Sequence, residues 1–340
     1  MSTRKTILMG MPRGAYSRTF RASAQDRLWA DYDVLTPGER PSTDDLLAVA
    51  EGRQVDAVLT VWGAPALPTT FWQAHPECRF HGHMAGSVKH FYPGDTVDHL
   101  LAEDIVVVSG QFGLGINVAE ATLGTMITLS RNLPIYWQTL RETRGWRVDS
   151  LPVEPRGLLG ATVGLVGASV IGRLVIEMLK PFRCQVLVYD PYLSAEAAAA
   201  LGVESVSLEA LFERGDIVSM HHPQTPETDR MIGAEQFSRL RDGALFINTA
   251  RPRAIDPDAL LAAAQEQRFT IALDVTEPEP LPADHPLRDL PNVWVTPHVA
   301  GCGRYGAELV GDIVIEGLEE FLAGQPVTHR YPLERLATLA

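Results

Sequence analysis

Short apolar, β-prone runs alternate with stretches of helical period along most of the chain. In the first third the runs fall at residues 6–9, 55–61, 79–83 and 105–109. Between the first two, Ser42-Thr-Asp-Asp-Leu-Leu-Ala-Val-Ala50 reads as a helix capped by its serine. This part predicts an α/β unit without a phosphate-binding glycine pattern. Asn117-Val-Ala-Glu120 reads as a capping-box variant, and Leu123, Met126, Ile127 and Leu129 carry a long helix on to about Asn132. A proline-rich loop is expected at 150–157. From Ala161 the alternation becomes strict, with strands expected at 162–166, 186–189, 217–220, 244–248, 270–274 and 293–296. Ser207 caps a helix over 208–214 that Gly215 stops, and Asp256 with Pro257 opens another that reaches about Gln267. Strands joined in this way by helical crossovers predict a doubly wound parallel sheet. A last helix, about 305–322, is expected to return to the first unit.

Composition narrows the partners. The 340 residues allow two domains of ordinary size, and 46% hydrophobic with 21% charged is the balance of a soluble globular protein. A formal charge of -13 argues against a nucleic-acid surface. No uninterrupted apolar stretch of about 20 residues predicts a membrane span, and the N-terminus carries no signal-like apolar core. Cys78, Cys184 and Cys302 are too few and too scattered for a disulfide framework, which suits a cytoplasmic protein.

Thr162-Val-Gly-Leu-Val-Gly167 is a buried strand entering a tight turn. In Gly167-Ala-Ser-Val-Ile-Gly172, Gly167 permits the turn and Gly172 lets the following helix approach the strand. The amides at the start of that helix suit a pyrophosphate. Ser169 stands where a second glycine is usual, and its Cβ is expected to crowd the phosphate. Asp190 ends the next strand, 23 residues beyond Gly167. A carboxylate there accepts from ribose hydroxyls and repels a 2′-phosphate, so NAD(H) is expected rather than NADP(H).

Three further residues each follow closely on a strand-like run: Arg251, Glu279 and His298. In an open α/β sheet the loops beyond the carboxyl ends of the strands bind ligands. Reducing a 2-keto acid requires a held carboxylate, a polarised carbonyl and a delivered proton. Arg251 supplies a fork of donors for the first two, His298 gives or takes the proton, and Glu279 steadies the imidazolium. No metal is called for.

Asn248-Thr-Ala-Arg251, Ala272-Leu-Asp-Val-Thr-Glu-Pro-Glu-Pro280, Thr296-Pro-His-Val-Ala-Gly301 and Leu165-Val-Gly-Ala-Ser-Val-Ile-Gly-Arg173 resemble the signature segments of the D-isomer-specific 2-hydroxyacid dehydrogenases over about residues 100–325. The resemblance implies two Rossmann-like or flavodoxin-like domains. The substrate-binding one would comprise 1–112 and 305–340, and the NAD-binding one 113–304. It implies substrate binding by Arg251 and acid/base chemistry by His298 paired to Glu279 rather than to Glu277. It places Asp274 on the nicotinamide carboxamide and the amides of Val170 and Ile171 on the pyrophosphate. His222 and Pro223 would border the adenosine. Thr249, Ala250 and the segment from His298 to Gly301 would line the nicotinamide pocket, in a homodimeric enzyme whose two domains close over the substrate.

The segment Ala85-Gly-Ser-Val-Lys-His-Phe91 resembles the loop whose amides hold the substrate carboxylate, so Gly86, Ser87 and Val88 are its candidates, with Trp62 as a further lining residue. Lys89 and His90 stand near the place of the family's usual aspartate, and Pro252 replaces a glycine after the arginine. His81-Gly-His83 is expected to be structural rather than metal-binding, Cys302 a small buried side chain, and Arg13 a solvated loop residue. Two other functions fit the same residues: a related dehydrogenase of a substrate such as a phosphonate, and an NAD(H)-sensing binding protein.

Overall fold

The computed structural model describes residues 4–146 and 155–336. Most of the expected proline-rich loop lies outside these residues. By internal contacts the chain divides into two units, Met1–Leu114 with Cys302–Ala340, and Gly115–Gly301.

The first unit carries strands β1 (Thr6–Met9), β2 (Asp33–Leu35), β3 (Ala57–Thr60), β4 (Phe80–His83) and β5 (Val106–Ser109), all parallel and ordered β2-β1-β3-β4-β5. Helices α1 (Ala22–Asp31), α2 (Thr43–Ala50), α3 (Thr69–Ala74) and α4 (Thr96–Ala102) form the crossovers. β1, β3 and β5 are buried on both faces, which is why they read as largely apolar runs rather than alternating ones. Ile7, Met9, Leu59 and Phe80 pack toward the C-terminal helix of the chain, whereas Leu8, Val58 and Val107 pack with Phe71, Trp72 and Leu100. Ser42 caps α2 through a capping box with Asp45.

The second unit begins within α5 (Gln111–Ser130), followed by α6 (Leu133–Thr143). The helix starts at Gln111, not Asn117. The amide of Gln111 donates to Ser109 Oγ, and Asn117 lies mid-helix with its amide donating to the Gly301 carbonyl at 2.8 Å. By length and composition α5 could cross a bilayer, with a mean hydropathy of 1.3; here Ala119 and Met126 are fully buried in a core of the second unit.

Strands β6 (Thr162–Val166), β7 (Gln185–Tyr189), β8 (Glu204–Ser205), β9 (Ile217–Met220), β10 (Leu245–Asn248), β11 (Thr270–Leu273) and β12 (Val293–Val295) make a parallel sheet ordered β12-β11-β10-β9-β6-β7-β8. Helices α7 (Val170–Leu179), α8 (Ala195–Leu201), α9 (Leu208–Arg214), α10 (Ala234–Arg239) and α11 (Pro257–Glu266) connect them. The strand order reverses between β6 and β9, so a crevice is expected at their carboxyl ends. The last helix, α12 (Arg304–Leu322), belongs to the first unit and packs on β4 and β5. Gly82 makes this approach possible: a Cβ there would lie 2.4 Å from Val314.

Candidate functional site

Gly167 leaves β6 with a φ of +105°, a conformation that favours glycine, and a Cβ there would meet the His222 amide at 2.8 Å. Gly172 lies against the same turn, where a Cβ would sit 2.2 Å from the Gly167 carbonyl oxygen. Arg173 clasps the turn through Nε donated to the Ala168 carbonyl at 2.9 Å, a role the sequence did not suggest.

Ser169 is the N-cap of α7. Its φ of -64° and ψ of -178° are ordinary extended values, and its Oγ caps α7 by accepting from the Gly172 amide. The helical ladder starts with Arg173 N donating to Ser169 O. Val170 and Ile171 are thus left as first-turn amides with no helical acceptor. Asp190 accepts from the Ala168 and Tyr192 amides, both at 2.8 Å, one on each oxygen. A carboxylate offers about four lone-pair positions, so about two remain for a ligand.

His222, just past β9, donates Nδ1–H to the Pro223 carbonyl at 2.8 Å. Its Nε2 is then a lone-pair acceptor, buried and without a partner. Burial lowers its pKa, against the raising effect of the Pro223 carbonyl, and the charge of Arg251 lowers it further. A free amide pair at a helix start, a carboxylate with spare acceptor positions and an orphaned buried nitrogen surround a turn that tolerates no extra Cβ. These features fit a dinucleotide rich in phosphates and hydroxyls.

Beyond β10, Asn248 shapes the loop by accepting from the Ala250 amide and donating to the Arg251 carbonyl, both at 3.0 Å. Thr249 is hydrogen-bonded to Thr122 of α5 at 3.0 Å. Arg251 is half-buried, with one Nη donating to the Ala250 carbonyl. Burial lowers its pKa and the nearby Glu279 charge opposes this. Pro252 opens a short 3-10 turn, Pro252–Ala254, at the first position, where its missing N–H costs nothing.

His298 has a φ of +53°, rare for a non-glycine residue. Such backbone persists where its surroundings over-determine it, and Asp274 does so here. The His298 amide donates to the Asp274 carbonyl at 2.9 Å. The buried Asp274 carboxylate accepts from Thr296 Oγ1 at 2.6 Å, Val299 N at 2.9 Å and Ala300 N at 2.8 Å. These bonds make Asp274 the anchor of the histidine loop. The imidazole Nδ1 lies 2.5 Å from Glu279 Oε1. Glu277 is engaged elsewhere, 2.9 Å from Arg230. Gly301 closes the loop through its bond from Asn117.

In the first unit, Gly86 and Ser87 are half-buried, and the Gly86 carbonyl accepts from Ser109 Oγ at 2.6 Å. Ser87 Oγ accepts from the Lys89 amide at 3.3 Å. The side chain of Val88 is fully buried, so only its backbone can meet a ligand. Trp62 is exposed. Arg13 is exposed, as expected, and lies over the Trp29 ring at 4.7 Å and 3.7 Å from Asp26. Cys302 is exposed, contrary to expectation, because it sits in the turn before α12, outside either core. His81 and His83 share the hydroxyl of Thr60, and no metal-holding group of three or more His, Cys, Asp or Glu occurs among the described residues. A cavity of about 680 Å³ lies at the amino edge of the second sheet, lined by Ala161, Asp216, Ala244 and Asn292 among others; it is at the opposite end of the strands from these groups.

Two parallel α/β units, one with a glycine turn at its switch point, define a Rossmann-type scaffold. A family model described as D-isomer specific 2-hydroxyacid dehydrogenase, NAD binding domain, matches residues 123–300, and the chain belongs to this family. D-3-phosphoglycerate dehydrogenase of Methanocaldococcus jannaschii is 36% identical over 231 residues, 67% of this chain and 43% of that protein. The chain therefore matches less than half the length of that relative. Glyoxylate reductase of Korarchaeum cryptofilum is 31% identical over 88% of this chain and 86% of its own. The crystal structure of a phosphoglycerate oxidoreductase from Rhizobium etli superposes with a TM-score of 0.82 at 26% identity, over 97% of this chain and 99% of that one. The cofactor of the matched domain is of the NAD(H) type.

Proposed function

We propose that the protein interconverts a 2-keto acid and a D-2-hydroxy acid with NAD(H). The observation that carries the reading is the 2.5 Å contact of His298 Nδ1 with Glu279 Oε1, on a loop that Asp274 fixes beyond β12. Nδ1–H donates to the carboxylate, so Nε2 is the atom that hands a proton to the keto oxygen and takes it back in the reverse direction. Arg251, which feels the Glu279 charge, binds the substrate carboxylate and polarises the carbonyl. Bound NADH supplies the hydride. The spare acceptor positions of Asp190 favour ribose hydroxyls over a 2′-phosphate, and the Val170 and Ile171 amides meet the pyrophosphate.

A homodimer belongs to the same reading. Helix α6 buries none of its residues and leaves Trp137 59% exposed, a face suited to a second copy of the chain. Light scattering tests it, a monomer being the contrary result. The free thiols suit a reducing cytoplasm. Activity is tested by NADH oxidation with glyoxylate, pyruvate and hydroxypyruvate. Turnover of at least one, with the D-isomer as product, is expected. NADH binding without turnover of any keto acid would leave an NADH-sensing role instead.

A further inference from the structure

Helix α5 meets the loop after β10 through Thr122 Oγ1 and Thr249 Oγ1, 3.0 Å apart. Both residues belong to the second unit. Distance alone leaves the donor open, but proton counting settles it. Thr122 Oγ1 also lies 2.8 Å from the Val118 carbonyl oxygen, one helical turn back. A carbonyl oxygen only accepts, so the single hydroxyl proton of Thr122 goes there. Were that proton turned to Thr249, two oxygens would face each other at 2.8 Å with no hydrogen between them, in a side chain that is fully buried. Thr249 is therefore the donor of the pair, and Thr122 accepts on a lone pair.

The consequence falls on Thr249. A hydroxyl has one proton and two lone pairs. The Thr249 proton is spent on Thr122, and no other partner for this hydroxyl occurs among the described residues. What Thr249 keeps is acceptor capacity alone. It is half-buried, between Asn248 and Ala250, which are both buried.

Strand order says which part of a dinucleotide comes near. β7, with Asp190, lies on one side of β6, and β9 and β10 lie on the other. With adenosine at Asp190 and pyrophosphate at the start of α7, the second nucleotide runs toward β10, two strand spacings or roughly 10 Å from β6. That nucleotide carries donors: the carboxamide N–H groups and the ribose hydroxyls. Asp274, the acceptor expected to meet the carboxamide, already takes three bonds from its own chain. A hydroxyl whose proton is held away from the ligand is set to accept without being ordered at binding.

We propose that Thr122 is a positioning residue: by taking the Thr249 proton it fixes that hydroxyl as an acceptor for an N–H or O–H donor on the nicotinamide nucleotide of NAD(H). This inference rests on the NAD(H) reading above.

The test is calorimetric titration of the full chain with NADH, ADP-ribose and ADP. Thr122→Val keeps the shape of the side chain and removes the acceptor, so the Thr249 proton turns toward the ligand. NADH binding should weaken about 2- to 12-fold, one ordinary hydrogen bond, with ADP binding unchanged; Thr122→Ser should restore it. An equal loss for ADP-ribose assigns the donor to the ribose, and a loss for NADH alone assigns it to the carboxamide; either supports the inference. Thr249→Val should also weaken NADH binding, and adding Thr122→Val to it should cost nothing more. Unchanged NADH affinity in Thr122→Val, an equal loss for ADP, or additive losses in the double variant overturn the inference and leave the dinucleotide site standing. If the unmodified protein binds no NADH, the NAD(H) reading fails and the inference with it.

Discussion

Replacing Asp274 with asparagine isolates the group that sets the geometry of His298. The carboxylate accepts three hydrogen bonds, two on Oδ1 from Thr296 and Val299 and one on Oδ2 from Ala300. Asparagine can keep the two on its single oxygen, but its NH₂ group then faces the Ala300 N–H. One charge-assisted bond is lost, worth about 1.5–3 kcal/mol, and the two that survive become neutral and weaken by roughly 0.5–1 kcal/mol each. The sum is about 2.5–5 kcal/mol. For a unit of this size each kcal/mol moves Tm by about 2–4 °C, so a fall of roughly 5–20 °C is expected. The relaxed loop also frees His298 from its left-handed backbone, so kcat should fall by about 10-fold or more while KM changes little. Thermal unfolding followed by circular dichroism gives the first quantity and NADH oxidation the second. A variant with unaltered Tm and kcat would show that Asp274 does not anchor the loop.

Gly172→Ala places a methyl 2.2 Å from the Gly167 carbonyl oxygen, a backbone atom that cannot step aside cheaply; a loss of about 1–3 kcal/mol in stability and weaker NADH binding are expected, and calorimetric titration with unchanged affinity would contradict the turn geometry. Asp190→Ala should weaken NADH binding and narrow its preference over NADPH, and equal or tighter binding of NADPH by the unmodified protein would remove Asp190 from that role. Stability should also fall in mild acid. Burial holds His81 and His221 at pKa values of about 3 in the folded chain. The unfolded chain takes up these protons first as pH drops below about 6.5, so stability is full above that value and is lost toward pH 3, by about 1.4 kcal/mol per pH unit for each histidine. Denaturant midpoints that do not move between pH 7.5 and 5.5 would refute this.

The strands and caps were readable because their signals are local. Thr6–Met9, Thr162–Val166 and Ile217–Met220 are short, mostly apolar runs, and Ser207 and Asp256 cap as their side chains dictate. The β2 strand escaped because it is three residues long and only half-buried, and β8 because it is two exposed residues at a sheet edge. Helix α1 starts without a side-chain cap. The start of α5 was misplaced because Gly113 and Gly115 interrupt its pattern, though both are buried in the folded chain. At the site, sequence position alone put Arg251, Glu279 and His298 after strands. It could not show that Asp274 spends its carboxylate on the histidine loop, that Ser169 caps a helix, or that Thr60 joins two histidines from a neighbouring strand. Those pairings join residues about 20 or more apart, except at Ser169, where the backbone angle decides.

The acid/base assignment is the centre of the account, and the comparison of unmodified protein with His298→Gln tests it most directly. Steady-state NADH oxidation with the best keto acid, alongside NADH affinity by fluorescence titration, is the measurement. The account predicts a fall in kcat of about 10²–10⁴-fold with cofactor affinity unchanged. Turnover by the variant at nearly the unmodified rate would contradict it.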